Sequence, residues 1–214
     1  IYTGEDTLSL HDALPIFESL KALTTKPNLV VLPAFSFCGQ VNASNIADVA
    51  EAQLGASVQA ASDFAGRLNS FVVVSFVEKA EGGYFHTAAL LAPDGKLVGT
   101  YRQTHLDVAM DGLFQPGSQL QVFDTAIGKI GLLLNEDVRY PELAGMMAVK
   151  RADIICVPSQ WSGDYGNLLQ DASGLFAHPY AANTMTLWYA LAKTSQSYVV
   201  VANPVGNGAL GSSG

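Results

Sequence analysis

The sequence predicts a layered α/β domain built on mixed β-sheets. Three observations point there. Short apolar runs at 28–32, 71–77, 154–157 and 198–202 have the continuous hydrophobic character of strands covered on both faces. Segments with apolar residues at helical spacing alternate with those runs. Hairpins marked by Gly, Pro and Asp sit among them. With 214 residues, 49% of them hydrophobic and 14% charged, the chain can bury the core of one mid-sized domain and is not of disordered composition.

Each element follows from its residues. A short helix is expected over 17–25. The strand at 28–32 stops at Pro33. Ile46, Val49, Ala50, Leu54, Val58, Ala61, Phe64 and Leu68 fall at helical spacing, so one helix is predicted over 45–68 with Ser44 as its N-cap. The β-branched run 71–77 is a buried strand. It is followed by polar residues with paired glycines at 78–83 and by a second strand at 86–92, which makes a hairpin. Pro93-Asp94-Gly95-Lys96 is a turn leading into a strand at 97–102. Strands at 122–125 and 129–134 flank a tight turn at Ala126-Ile127-Gly128. Pro141 opens a helix running to about Lys150, where its missing N–H costs nothing. A strand at 154–157 ends at Pro158, a helix covers 180–194, and a strand covers 198–202. There is no internal repeat or linker between 17 and 204.

Both ends have the marks of a piece rather than a whole. Thr7 to Ile16 corresponds to the direct translation of a common short-read sequencing adapter, and Ile1-Tyr2-Thr3 matches its upstream part. Residues 1–16 are therefore expected to be a processing artefact with no part in the fold. Without Glu5, Asp6 and Asp12 the formal charge changes from −8 to −5. The chain stops at Gly211-Ser212-Ser213-Gly214 soon after an apolar strand, so 17–214 is expected to be an assembled fragment of one domain, truncated at both ends.

The charge balance disfavours nucleic acid, which requires a basic face. No run approaches the length of a membrane span. Cys38 and Cys156 form no disulfide framework, which points to a reducing cytoplasm. His86 and His178 lack ligand-like partners, so no metal site is expected, and the glycines carry no phosphate-binding fingerprint, so no cofactor is expected.

In layered α/β sheets sites form at the carboxyl ends of strands, which directs attention to residues just after Leu32, Thr100 and Leu134. Three segments there resemble the nitrilase, or carbon–nitrogen hydrolase, superfamily. The first is Leu29-Val30-Val31-Leu32-Pro33-Ala34-Phe35 with Gly39. The second is Gly99-Thr100-Tyr101-Arg102-Gln103-Thr104-His105-Leu106, followed by Phe114-Gln115-Pro116-Gly117. The third runs from Ile130 to Glu142 and continues with Ala152-Asp153-Ile154-Ile155 and Pro158-Ser159-Gln160-Trp161. Tyr198 to Asn203 with Gly206 is a further match, and the resemblance spans essentially all of 17–214.

The resemblance implies a four-layer α-β-β-α sandwich, commonly paired into a homodimer or a higher oligomer through its helices. It also implies a chemistry in which a cysteine thiolate attacks a nitrile or amide carbon, a glutamate acts as base, and a lysine stabilises the developing negative charge. The positions that match the three differ here. The base position holds Ala34, the cation position Gln103 and the nucleophile position Asn135. A second family glutamate falls at Met110, with Asp111 beside it. Alanine accepts no proton, glutamine supplies no charge, and an amide nitrogen is not nucleophilic at neutral pH. Catalytic groups that act as a unit fail together.

The expectation is thus a nitrilase-fold pseudoenzyme. Its old pocket would be lined by Ala34, Gln103, Met110, Asn135, Glu136 and Trp161, with Trp161 either walling the pocket or packing in the core. Such a pocket suits a small neutral amide or a carboxylic acid, and the domain could also serve as a regulatory or oligomerisation module. The alternative is an active amidase or nitrilase with a rearranged site using Cys38 or Glu136. Cys38 and Cys156 otherwise read as small buried hydrophobes, Asp137 as a structural residue bonding backbone or Arg139, and His105 as a framework residue.

Overall fold

The computed structural model describes residues 25–107, 110–161 and 179–204. Residues 1–16, His178, Gly206 and all but the last residue of the helix expected over 17–25 lie outside these. Two four-stranded sheets form the centre. The first contains β1 (Leu29–Val31), β2 (Phe71–Ala80), β3 (Gly83–Leu91) and β4 (Leu97–Arg102), in that spatial order. The second contains β5 (Val122–Thr125), β6 (Gly128–Leu132), β7 (Ile154–Pro158) and β8 (Tyr198–Ala202), also in chain order.

Both sheets are mixed. β1 runs parallel to β2, while β2, β3 and β4 are antiparallel neighbours joined by short turns. β5 is antiparallel to β6, and β6, β7 and β8 are parallel. Parallel neighbours need crossovers, and helices supply them: α1 (Ile46–Val49) and α2 (Ala56–Leu68) between β1 and β2, α3 (Pro141–Val149) between β6 and β7, and α4 (Pro179–Ser195) between β7 and β8.

Burial defines four layers. One face of the first sheet, with Val72, Val74, Phe76, Ala89 and Leu91, packs on Val58, Ala61, Phe64, Ala65 and Leu68 of α2. Its other face, with Val73, Ala88, Leu90 and Tyr101, shares a core with Ile130, Leu132, Ile155 and Val157 of the second sheet. Leu143, Ala144 and Met147 of α3 and Leu191 of α4 complete that cluster. A Cβ on Gly131 would collide with the Met147 sulfur, so α3 lies directly on β6. The order is α-β-β-α, as the resemblance implied.

The β2–β3 hairpin is longer than expected, its strands reaching Ala80 and Gly83 and leaving only Glu81 and Gly82 between them; the helix expected over 45–68 departs more sharply. The single helix predicted over 45–68 is broken between α1 and α2, and Ser44 does not cap it. Ser44 instead bonds Asn42 Oδ1, and Asn45 precedes the first helical residue. Glu51 interrupts the helix because its backbone joins the first sheet. Its N–H donates to Val77 O (2.9 Å) and its carbonyl accepts from Lys79 N (2.8 Å). The chain restarts at Gly55, and Glu51 Oε2 accepts from the Ser57 N–H (2.9 Å) at the head of α2. The apolar spacing runs unbroken through the interruption, so periodicity alone does not show it.

Candidate functional site

The carboxyl ends of β1, β4 and β6 carry Ala34, Gln103 and Asn135, and the residues just past β7 link the first and the last of them. Ala34, after β1, is buried, and its N–H donates to Ser159 O (3.0 Å) just past β7. The next residue, Gln160, donates its N–H to Asn135 Oδ1 (2.7 Å), just past β6. Asn135 has φ 40°, a left-handed backbone that asparagine tolerates better than most residues, and it opens a 3₁₀ turn, Asn135–Arg139. Gln103, after β4, is 1% exposed. Its N–H donates to His86 O (2.9 Å), and its carbonyl accepts from Gly117 N (2.7 Å). That last contact requires glycine, because a Cβ at 117 would run into the Arg102 carbonyl oxygen.

The side chain of Gln103 is engaged at both ends. Its Nε2 donates to His105 O (2.6 Å), and its Oε1 meets His86 Nδ1 (2.6 Å). His86 Nε2 in turn meets Ser75 Oγ (3.0 Å), which accepts the N–H of Phe35 (3.1 Å), the residue after Ala34. His86 is fully buried and stacked on Phe35, with ring centroids 4.1 Å apart. Burial drives its pKa down from 6.5 to about 4, partly opposed by the bond to Gln103, so the imidazole is neutral. His86 and Ser75 are the residues that sequence reading missed. His86 was set aside for want of ligand-like partners, whereas its partners here are two neutral side chains.

Asp137 anchors the far side of the site. It is fully buried and accepts from Leu134 N (3.0 Å), Tyr101 OH (2.8 Å), Thr104 Oγ1 (3.1 Å) and His105 N (3.0 Å). Of the two roles expected for it, the backbone role is the one observed; Arg139 pairs with Glu136 instead. Burial and the neighbouring Asp137 push the Tyr101 phenol upward, so it keeps its proton and donates it to Asp137. His105 stacks on Tyr140, with centroids 3.6 Å apart, which ties the loop after β4 to the end of the 3₁₀ turn.

The remaining expected pocket residues are placed as follows. Met110 is buried in one apolar cluster with Ala34, Phe35, Ile46, Val77 and Phe114. Glu136 is half-buried beside Arg139, and burial raises its carboxyl above the usual range. Trp161 is 6% exposed, carries the Arg139 guanidinium 4.8 Å from its ring centroid, and stacks on Trp188. Its indole N–H is buried without a hydrogen-bond partner among the described residues.

Neither cysteine is poised for attack. The Cys38 thiol is pushed up to about 12 by burial and by the charge of Glu51, and Cys156 to about 12 by burial. Both are free thiols. Among the described residues no group of three or more His, Cys, Asp or Glu is placed to hold a metal ion, and no helix is long and apolar enough to cross a membrane.

Comparison with known proteins bears on this geometry. The carbon–nitrogen hydrolase family model matches residues 10–213. An (R)-stereoselective amidase from Pseudomonas sp. is 27% identical over 199 residues, covering 92% of this chain and 67% of that protein. A probable nitrilase of Schizosaccharomyces pombe is 28% identical over 144 residues, 65% of this chain and 53% of its own length. The human omega-amidase is 30% identical over 152 residues, 66% of this chain and 55% of the relative. The matched region thus spans roughly half to two thirds of these relatives. Among solved structures, an amidase from Nesterenkonia sp. superposes with a TM-score of 0.74 at 22% identity, over 91% of this chain and 70% of that one. A carbon–nitrogen hydrolase from Helicobacter pylori gives 0.72 at 25% identity, over 96% and 71%.

Proposed function

This chain belongs to the carbon–nitrogen hydrolase family, and on that premise we propose that it is a catalytically silent member, a nitrilase-fold domain whose former active site binds a small amide or carboxylic acid without cleaving it. One observation carries the reading. Ala34, Gln103 and Asn135 stand where the family resemblance puts base, cation and nucleophile, and all three are held in neutral contacts within the protein. Those three positions supply no thiolate, proton acceptor or cation to form and stabilise a tetrahedral intermediate. Gln103 has both ends of its side chain bound within the protein and Asn135 its oxygen, so the Asn135 amide N–H is what this set offers a ligand.

The test is turnover against binding. Purified protein is offered a panel of simple amides and nitriles, with heat of binding measured for small amides and their acids. Binding without ammonia release supports silence. Thiol-sensitive turnover that disappears in Cys38→Ala would establish the alternative, an active hydrolase with a rearranged site. Against that alternative stand the half-buried Cys38 thiol, pushed up to about 12, and the pairing of Glu136 with Arg139. Turnover lost instead in Glu136→Gln would assign the chemistry to that carboxyl.

The proposal includes a setting. Two free cysteines suit a reducing cytoplasm. Met146 and Val149 on α3 and Tyr189 on α4 expose apolar surface on the outer helical layer, which suits pairing of two copies through their helices. A role as an oligomerisation or regulatory module fits the same face.

A further inference from the structure

The chain of buried hydrogen bonds around His86 has a direction that can be deduced link by link. At one end the His105 carbonyl oxygen can only accept, so Gln103 must turn its NH2 toward it (2.6 Å). That fixes Gln103 Oε1 toward His86 Nδ1 (2.6 Å), and an amide oxygen can only accept, so Nδ1 carries the proton. A neutral imidazole then has a lone pair at Nε2, and Ser75 Oγ–H must donate to it (3.0 Å). At the other end the Phe35 N–H can only donate, and Ser75 Oγ accepts it (3.1 Å). Every link agrees, and the direction is set from the His105 carbonyl, which with a neutral imidazole leaves no other assignment.

We propose that His86 is a positioning residue held in its Nδ1–H tautomer by Gln103, and that through this tautomer Gln103 sets the backbone of the loop after β1. The two loops so coupled are those carrying Ala34 and Gln103. Phe35 has φ 55°, an unfavourable backbone for an aromatic residue. Its N–H bond to Ser75 and its stacking on His86 hold that conformation. A side chain at 103 that only donates reverses the chain. With Gln103→Lys, the ammonium donates to both His105 O and His86 Nδ1, the imidazole proton moves to Nε2, and Ser75 receives two donors while its own proton loses its acceptor. The cation position and the loop at 34–39 are therefore not independent, and His86 links them.

The inference stands on hydrogen bonds and not on catalytic silence, so the two can fail separately. Long-range 15N–1H correlation spectra of the wild-type imidazole should show a neutral Nδ1–H tautomer for His86 near pH 7. An Nε2–H tautomer there would overturn the proposal without any variant. In Gln103→Lys the tautomer should switch to Nε2–H; an unchanged tautomer counts against it. Gln103→Met keeps the size and removes the acceptor. Hydrogen exchange of the Phe35 amide should then rise by about tenfold, while that of Ile130 in the second sheet stays as in the wild type. Unchanged exchange at Phe35, or equal acceleration at both amides, would show Gln103 to be ordinary core packing.

Discussion

At the scale of single residues, the two histidines of the site face different constraints. His86 has Ser75, Gln103 and the rings of Phe35 and Phe114 around it. Its native pKa of about 4 lies below the ordinary 6.5, so the unfolded chain takes up the proton first. The stability gained by keeping His86 neutral is complete above pH 6.5 and is lost as the pH falls from there toward 4, about 3 kcal/mol in all. Urea unfolding at pH 7 and pH 4.5 should show this loss, and it should be absent in His86→Phe if that variant folds. Asp137 makes a second prediction. Asp137→Ala leaves the donors of Leu134, Tyr101, Thr104 and His105 without their acceptor, and should lower stability by roughly 3 kcal/mol or more, measured as a drop in the denaturation midpoint. Both roles were only partly legible in sequence. Asp137 was recognisably structural from its motif. His86 was not recognised, and strand register explains why. The turn pairs Leu91 with Leu97, and counting back from there sets His86 opposite Arg102. A bulge at Leu90/Leu91 shifts the ladder by one, pairs Thr87 with Arg102, and puts His86 beside Gln103.

At the scale of elements, most strands were read within a residue or two because apolar character and turn residues mark them locally; the β2–β3 hairpin is the exception, its strands running three residues further into the polar connection, to Ala80 and from Gly83. The bounds of β4, β5 and β8 coincide with the expectation. The predicted 45–68 helix shows where such reading stops. Its interruption is caused by a backbone bridge between Glu51 and the end of β2, a tertiary contact with no local signature. The same residue then supports α2 through Ser57 N–H. Glu51→Ala should therefore destabilise by about 1 kcal/mol, the usual effect of losing a helix-start acceptor, with loss of helical ellipticity on heating at a lower temperature. It also removes the charge that raises the Cys38 thiol, so thiol-reagent kinetics at Cys38 should quicken in this variant. The 3₁₀ turn at Asn135–Arg139 was likewise not foreseen. Leu134 N–H and the backbone of Asp137 close it through the Asp137 carboxylate and the Leu134 carbonyl.

At the scale of the whole molecule, four layers follow from two sheets that each have two apolar faces. That much was written in the hydrophobic runs. The outer helical face, with Val149 84% exposed and Met146 and Tyr189 near it in the same layer, was not, because helical spacing does not distinguish a face buried within a chain from one buried between chains. If two copies pair there, Val149→Asp with Met146→Asp should convert the sedimenting species from dimer to monomer and leave the circular dichroism unchanged. A monomer in the unmodified protein would remove the pairing proposal.

The one-way run of bonds from Phe35 to His105 also bears on descent. On the reading proposed above, restoring base, cation and nucleophile takes one replacement each at Ala34, Gln103 and Asn135, and the three are not independent. A lysine at 103 takes away the acceptor that His86 Nδ1 now has, and the proton on His86 and the hydroxyl of Ser75 then each need a new partner. Such a lysine is therefore expected to lower stability unless His86 or Ser75 changes with it. On the same reading, the demand for a stable core is by itself enough to disfavour a lysine at 103, whatever selection acts on catalysis.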